Sequence, residues 1–374
     1  MQNSNGVKKN IKEINFPTNY KQIVERLEHI NPIKYAQTRN FTDGAVTYLS
    51  PYISRGVISL QQVLQHVLKT YKPYQIEKFI QELAWREYWQ RVWQSIGDEI
   101  FTDIKQEQPE VTHRKMVAAI ENASTGIEAI DNHIDKLYAT GYMHNHLRMY
   151  ISSICCNTAK AHWLQPSQWL YFHLLDGDLA SNSLSWQWVA GSFSSKKYYC
   201  NQENINRYTN SQQQNTFLDK SYDVLTRMEI PEVLEEKTNF FPSTELPVKV
   251  TPNIVDALPI YIYNSYNLDP AWHSETPANR ILLLEPAHFK KYPVSEKVMT
   301  FITDLSKNVE GIQIFAGSFS ELKALATNNI IHYKAHPTTS HYTGISEKYD
   351  DLFPAVTGYF SSFSSYWKKC AKYL

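Results

Sequence analysis

Three stretches of this chain carry side chains that could do chemistry together. Residues 176–188 read DGDLASNSLSWQW, with two carboxylates (Asp176, Asp178), an amide (Asn182) and two indoles (Trp186, Trp188). Residues 140–149, TGYMHNHLRM, add Asn145, His146, Arg148 and Met149. Residues 82–87, ELAWRE, add Glu82, Trp85 and Arg86. A carboxylate can accept from a ring N–H, and an amide can meet a ring nitrogen whose protonation changes with redox state. Such a set suits a flat, redox-active heteroaromatic ring, with indoles as walls or electron carriers.

Each stretch also has a plainer reading. Glu82 and Arg86 stand four apart on a helix and could form a surface ion pair, with Trp85 and Trp89 turned to the core. In an apolar setting Arg148 needs an anion, and Asp176 or Asp178 would serve in an ordinary buried pair tying two helices. Either aspartate could simply cap a helix. Trp186 and Trp188 are more telling: two positions are about 200° around a helix, so they face opposite ways. His144 and His146 diverge for the same reason, which argues against a shared metal. Upstream, KYAQTRNFTDGAVTYLSPYISRGVIS (34–59) offers Gly44, Thr47 and Ser50 before a helix, where hydroxyl and backbone donors could meet a pyrophosphate. Hydroxyl-rich helix entries are common, so this signal is weak alone.

The positioning elements follow from periodicity. Residues 1–20 are polar and read as loose. From 20 to 210 apolar residues recur every three or four positions, predicting helices over 57–68, 76–96, 126–140 and 142–163. Residues 211–255 turn polar, with Pro231, Pro242, Pro247 and Pro252, and read as a linker or arm. Beyond 256, short apolar runs at 259–264, 280–285, 312–317 and 330–334 predict strands. Amphipathic runs at 294–308 and 318–326 predict crossover helices, and the alternation predicts a small parallel, Rossmann-like α/β sheet.

Composition sets outer bounds. Lys plus Arg equals Asp plus Glu at 37 each, so bulk charge predicts no polyanion partner and any nucleic-acid site must be a local patch. No signal-like leader and no apolar run near membrane-spanning length occurs, which predicts a soluble, cytoplasmic chain. Cys155, Cys156, Cys200 and Cys370 lack metal-site spacing and read as buried free thiols.

Taken together, YxxxRxF (Tyr35, Arg39, Phe41), TYLSPYISRGVIS, ELAWRE, GYMHNHLRM and DGDLASNSLSWQW resemble, in order and spacing, the FAD-binding domain of the DNA photolyase/cryptochrome family. The resemblance covers about residues 30–210. It implies a mostly α FAD-binding domain over 20–210, followed by the arm and a small α/β domain at 256–374. It also implies FAD held near its phosphates by Tyr35, Thr47, Leu49 and Ser50, and around its rings by Asn145, Arg148, Asp176, Asp178 and Asn182. By the same resemblance, photoexcited reduced FAD would pass an electron to a pyrimidine dimer flipped from damaged DNA. Glu82 would bond that dimer, and Trp85, Met149 and Trp188 would wall its cavity beside Asn145. Asn145 and Met149 resemble cyclobutane-dimer enzymes, whereas (6-4) photolyases carry histidines on this segment. Trp186 and Trp163 match the inner two members of the family's three-tryptophan electron chain, and the outer position falls at Ile120. Arg86, His146, Lys196 and Lys197 would lie on the DNA side.

The domain order departs from the family, whose members begin with an α/β antenna domain. Here 256–374 is either a rearranged, shortened antenna-like domain or an unrelated one. The resemblance implies a monomeric lyase that uses no metal and meets no membrane. A cryptochrome-like photoreceptor, or a flavin-binding relative with neither activity, stays open.

Overall fold

The computed structural model describes residues 14–374; part of the polar segment 1–20 therefore lies outside the described residues. The first half is helical: α1 (Tyr20–Glu25), α2 (Pro32–Thr38), α3 (Ser50–Ser54), α4 (Leu60–Leu68), α5 (Glu77–Ile96), α6 (Ala118–Glu121), α7 (Glu128–Thr140), α8 (Asn145–Ser153), α9 (Leu164–His173), α10 (Leu179–Ala190) and α11 (Gln202–Thr209). Side-chain caps explain several starts. Asn31 accepts from Lys34 N ahead of Pro32 at the head of α2, Ser59 and Gln62 close a capping box on α4, and Asp178 accepts from Ser181 N on α10. α5 runs 20 residues because neither Gly nor Pro interrupts 77–96; it stops at Gly97, φ +58°.

One predicted helix breaks. The run 142–163 is helical only to Ser153, passes through a π-helical turn at Ile154–Thr158, and turns out at Lys160, φ +55°. Asn157 Nδ2 causes much of this by donating to Val189 O (3.1 Å) and Tyr198 O (2.7 Å), drawing the turn toward α10. Trp163 then stands at the start of α9.

Residues 211–240 wrap the helical half. The arm carries the short helix α12 (Tyr222–Leu225), and Leu218, Leu225 and Leu234 are buried with α7–α11. β1 (Met116–Val117) pairs antiparallel with β2 (Lys237–Thr238). The arm is thus partly a packed element, held by apolar burial that its polar composition hides.

The second half contains a five-stranded all-parallel sheet: β3 (Ile260–Tyr263), β4 (Asn279–Leu283), β5 (Ile312–Phe315), β6 (Ile331–Lys334) and β7 (Ile345–Glu347), in spatial order β5-β4-β3-β6-β7. β3 and β4 are buried along their whole length, as continuous apolar runs in parallel sheets are. α13 (Pro286–Lys291) and α14 (Glu296–Ser306) cross from β4 to β5, and α15 (Phe319–Leu325) from β5 to β6. The four predicted strands and both crossover helices are present. β7 is additional, its run too short and polar to stand out. α16 (Phe363–Cys370) returns to pack on α5.

The halves share one apolar core, in which Ile80, Tyr88 and Val92 of α5 join Tyr263, Val298 and Tyr366. A cavity of about 860 Å³ lies at the carboxyl ends of β4 and β6, between Trp93 and Asp98 at the end of α5 and Glu285, His288, His336 and His341.

Candidate functional site

The loop 174–178 is where the site is built. Its backbone is held from behind by α3 and the residue after it. Arg55, fully buried, donates through Nε to Leu175 O (3.0 Å) and reaches Ser265 O of the α/β half (3.4 Å); Ser54 Oγ donates to Asp176 O (2.8 Å). Gly56, φ +64°, permits this closeness, since a Cβ there would stand 2.3 Å from Tyr266 O. With its backbone fixed, the loop offers two carboxylates forward.

Asp176 accepts both of its short bonds from Arg148 Nη2 (3.0 and 2.9 Å), while Arg148 Nε donates to Met143 O. Asp178 accepts from Arg86 Nη2 (3.2 Å) and from Gln90 Nε2 through Oδ2, and caps α10 through Oδ1. Both carboxylates are nearly buried, where an isolated anion would be costly, and each faces an arginine. Arg86 therefore pairs with Asp178 across two helices. Glu82 instead accepts from Lys78 Nζ (2.8 Å) and meets Arg39 Nε (3.3 Å), joining α5 to the end of α2.

Tyr142 closes the group. Its ring lies 5.4 Å from Tyr48 and 5.8 Å from the Arg148 guanidinium, and burial pushes its hydroxyl far above the usual phenol range. Burial first, then the Glu82 carboxylate, raise Tyr35 likewise. Tyr35 packs edge-on to Phe79 (5.2 Å). Tyr48 holds φ +54°, an uncommon backbone state for a bulky side chain, inside the segment that carries Thr47, Leu49 and Ser50. Tyr142, Arg55, Lys78 and Gln90 were not singled out in the sequence. Lys78 and Gln90 stand at helical spacing from Glu82 and Arg86, which is the signal that could have found them.

Asn182 donates to Ser167 O (2.8 Å), which leaves its carbonyl oxygen free to accept among the described residues; Ser181 Oγ beside it is buried without a partner. Asn145 is exposed and Met149 half-buried on α8. Trp186 is buried (2 % exposed) and Trp188 is open (38 %), on opposite sides of α10. Trp163 is fully buried, its Nε1 donating to Asp103 Oδ1 (2.7 Å). Ile120 is fully buried, so the outward end of an electron chain cannot lie there.

Three residues read as facing DNA are engaged within the protein. Arg86 is paired as above, and Lys197 bonds Glu110 (2.7 Å). His146 stacks on Tyr208 (4.6 Å), and burial lowers it to about 4, so it carries no charge at neutral pH. Lys196 alone of the four remains exposed and unpaired among the described residues. Trp85 is covered on one face by Phe363 of α16, ring centroids 3.6 Å apart and 9° from parallel.

The four cysteines are free and buried. No helix is long and apolar enough to cross a membrane, and no group of three or more His, Cys, Asp or Glu among the described residues could hold a metal ion.

The paired carboxylates, the free amide oxygen, the partnerless Ser181 hydroxyl and the aromatic surround fit a flavin's ring donors and acceptors. Comparison with known proteins agrees. Residues 79–251 match the sequence model of the FAD binding domain of DNA photolyase. A deoxyribodipyrimidine photo-lyase of Synechococcus is 31% identical over 169 residues, 42% of this chain and 35% of that one. That of Buchnera aphidicola is 30% identical over 194 residues, 47% of this chain and 39% of that one. A cryptochrome DASH of Danio rerio is 29% identical over 170 residues, 42% and 32% of the two chains. The chain thus spans about a third to two fifths of these relatives' length. Among solved structures, a Synechocystis cryptochrome covers 52% of this chain and 44% of its own at 22% identity and TM-score 0.48. Residues 79–251 are thus an FAD binding domain of the DNA photolyase type, and FAD is the cofactor of that domain.

Proposed function

We propose that the protein is a light-driven repair flavoenzyme that splits cyclobutane pyrimidine dimers in DNA. The observation that carries this reading is the placement of Glu82 and Trp85 one turn apart on α5. On that same helix Arg86 and Gln90 grip Asp178, the neighbour of the Arg148–Asp176 pair. An acid and an indole are thereby fixed beside the ring-binding set. FAD, once bound, supplies a light-driven one-electron transfer. The chain's residues do the rest: Asp176 and Asn182 accept from ring N–H groups, and Thr47, Leu49 and Ser50 face the phosphates. Glu82 donates a hydrogen bond to the dimer's carbonyls, and Trp85, Met149 and Trp188 exclude water beside Asn145. Glu82 must then surrender Lys78 or Arg39 and take up a proton.

The test is a blue-light assay with the reduced, flavin-loaded protein and an oligonucleotide bearing one thymine dimer. Loss of the dimer in light and not in darkness is the expected result; flavin absorption without repair would overturn it. Glu82→Ala should lower repair per bound flavin, and loss of flavin instead would make Glu82 structural. A photoreceptor without repair is the second reading. It is favoured by Phe363 lying parallel on Trp85, which removes one indole face from any incoming base.

A further inference from the structure

Trp163 is wholly buried, yet its indole N–H is not bonded to a neutral partner: it donates to the carboxylate of Asp103 at 2.7 Å. That geometry is locked by Gln108. Its backbone N–H donates to the other Asp103 oxygen (3.0 Å), its Oε1 accepts from Trp163 N (2.9 Å), and its Nε2 donates to Ala161 O (2.9 Å). The Asp103 side chain keeps 15% exposure, so it touches water while the indole does not. His162 completes the group, Nε2 3.5 Å from Asp103 Oδ1 and ring centroid 5.6 Å from Trp163. No tryptophan or tyrosine stacks on Trp163 among the described residues, and Ile120 is sealed in the core.

We propose that Asp103 is the proton acceptor that traps an oxidised Trp163, replacing the outer tryptophan of the electron chain. The proposal rests on the reading of Trp186 and Trp163 as the flavin's electron relay. An indole that has lost one electron from its ring is a far stronger acid than a neutral indole, and a bare radical cation in an apolar core is costly. When FAD is bound, its photoexcited oxidised form would take one electron from Trp186, which one electron from Trp163 would refill. The Nε1–H bond of Trp163 breaks and an O–H bond forms on Asp103. Trp163 ends as a neutral radical and Asp103 as a neutral acid, so the pair goes from charge −1 to 0, the unit removed being the electron. Back-transfer must then return the proton too, which slows it. A small-molecule thiol, added as reductant, restores the pair by supplying one electron to the indole as the proton returns from Asp103; the thiol releases its own proton to water and leaves as a thiyl radical.

Asp103→Asn tests this, because an amide oxygen can still accept the indole N–H but is no base for its proton. Flash spectroscopy of the flavin-loaded full chain should show the neutral tryptophan radical, forming with a solvent deuterium isotope effect. In D103N the radical should stay a cation and recombine at least about tenfold faster, the factor that one pK unit is worth; D103E should restore wild-type behaviour. An unchanged neutral-radical spectrum and lifetime in D103N would overturn the proposal, as would a wild-type radical that forms with no isotope effect, a measurement needing no substitution. A second readout omits the flavin: azide radicals generated in a pulse oxidise the tryptophans of the apoprotein. D103N should remove the same share of prompt neutral-radical signal as W163F, and removal of none would overturn the proposal. If the loaded wild type forms no radical in light, the relay reading fails, while the azide experiment still judges Asp103.

Discussion

Both halves hold buried imidazoles neutral, but they differ in how many buried ion pairs they keep. In the helical half, charge is kept and paired: Arg148 with Asp176, Arg86 with Asp178 and Arg39 with Glu82 converge from α8, α5 and α2. At the carboxyl edge of the α/β sheet, buried imidazoles stand beside a carboxylate. His288 and His336 are held neutral by burial, at about 3 and about 4, around one carboxylate, Glu285, which accepts from Tyr342 (2.9 Å) and His341 (3.0 Å). Paired ions fix orientation, because removing either partner strands the other. Neutral imidazoles fix nothing by charge, and their cost appears only when pH changes.

Acid is therefore expected to have the largest effect. His133, His144, His146 and His173 in the helical half are also held near 4, in each case chiefly by burial. Folded values below the unfolded value of about 6.5 mean that these six contribute full stability above that pH. The contribution is lost as pH falls toward 4, since only the unfolded chain takes up the protons. Each is worth up to about 1.4 kcal/mol per pH unit, against a total stability of about 5–15 kcal/mol. Unfolding by pH 5 at 25 °C, followed by circular dichroism, is the expected result. A flat profile to pH 4.5 would mean these rings find protons or partners in the fold.

Next comes the joint between the halves. Glu87, nearly buried on α5, accepts from Arg91 Nε (3.2 Å), the Tyr366 hydroxyl and the backbone N–H groups of Leu352 and Phe353. Glu87→Gln should cost about 1.5–3 kcal/mol, the loss of the charge-assisted bonds in this buried cluster, while Arg91 keeps Asp351 (3.3 Å) and Phe353 O (3.3 Å). If the halves fold as one body, calorimetry will show a single, lower transition. Two separated transitions would show that this carboxylate couples them. Phe363→Ala is of similar size, at about 3 kcal/mol, the cost of truncating a buried phenyl ring. Denaturant melts report it, and a loss under 1 kcal/mol would mean Trp85 re-packs into the gap.

How much of this was legible beforehand differs between the halves. The fold class was readable in both, because period 3.6 and short apolar runs separated by crossover helices are local signals. The partners of Asp176 and Asp178 were half legible: Arg148 was foreseen, while Arg86 reads by spacing as Glu82's partner and goes instead to Asp178, 92 residues away. Arg55 looked like one more residue of a hydroxyl-rich helix entry. Its role behind the loop depends on three carbonyls, which no sequence pattern encodes. The stacking of Phe363 on Trp85 joins positions 278 apart and could come only from the tertiary fold. Side chains that bond to backbone, or across the halves, are the illegible part, because nothing local selects them.

The smallest effect sharpens the contrast at the same joint. Lys291 Nζ bonds Asp98 Oδ2 at 2.7 Å, linking α13 to the residue after α5's cap, as Glu87 links α5 to the stretch before α16. The distance is shorter than the Glu87–Arg91 contacts (3.1 and 3.2 Å), but the side chains are 55% and 71% exposed. Water already solvates both groups, so the attraction is screened and the entropy of holding two long side chains offsets most of it. Lys291→Met should therefore cost under about 1 kcal/mol and lose even that in 0.5 M salt, whereas the Glu87→Gln penalty should hardly respond to salt. Equal penalties would mean that bond length, rather than burial, sets the strength of the joint.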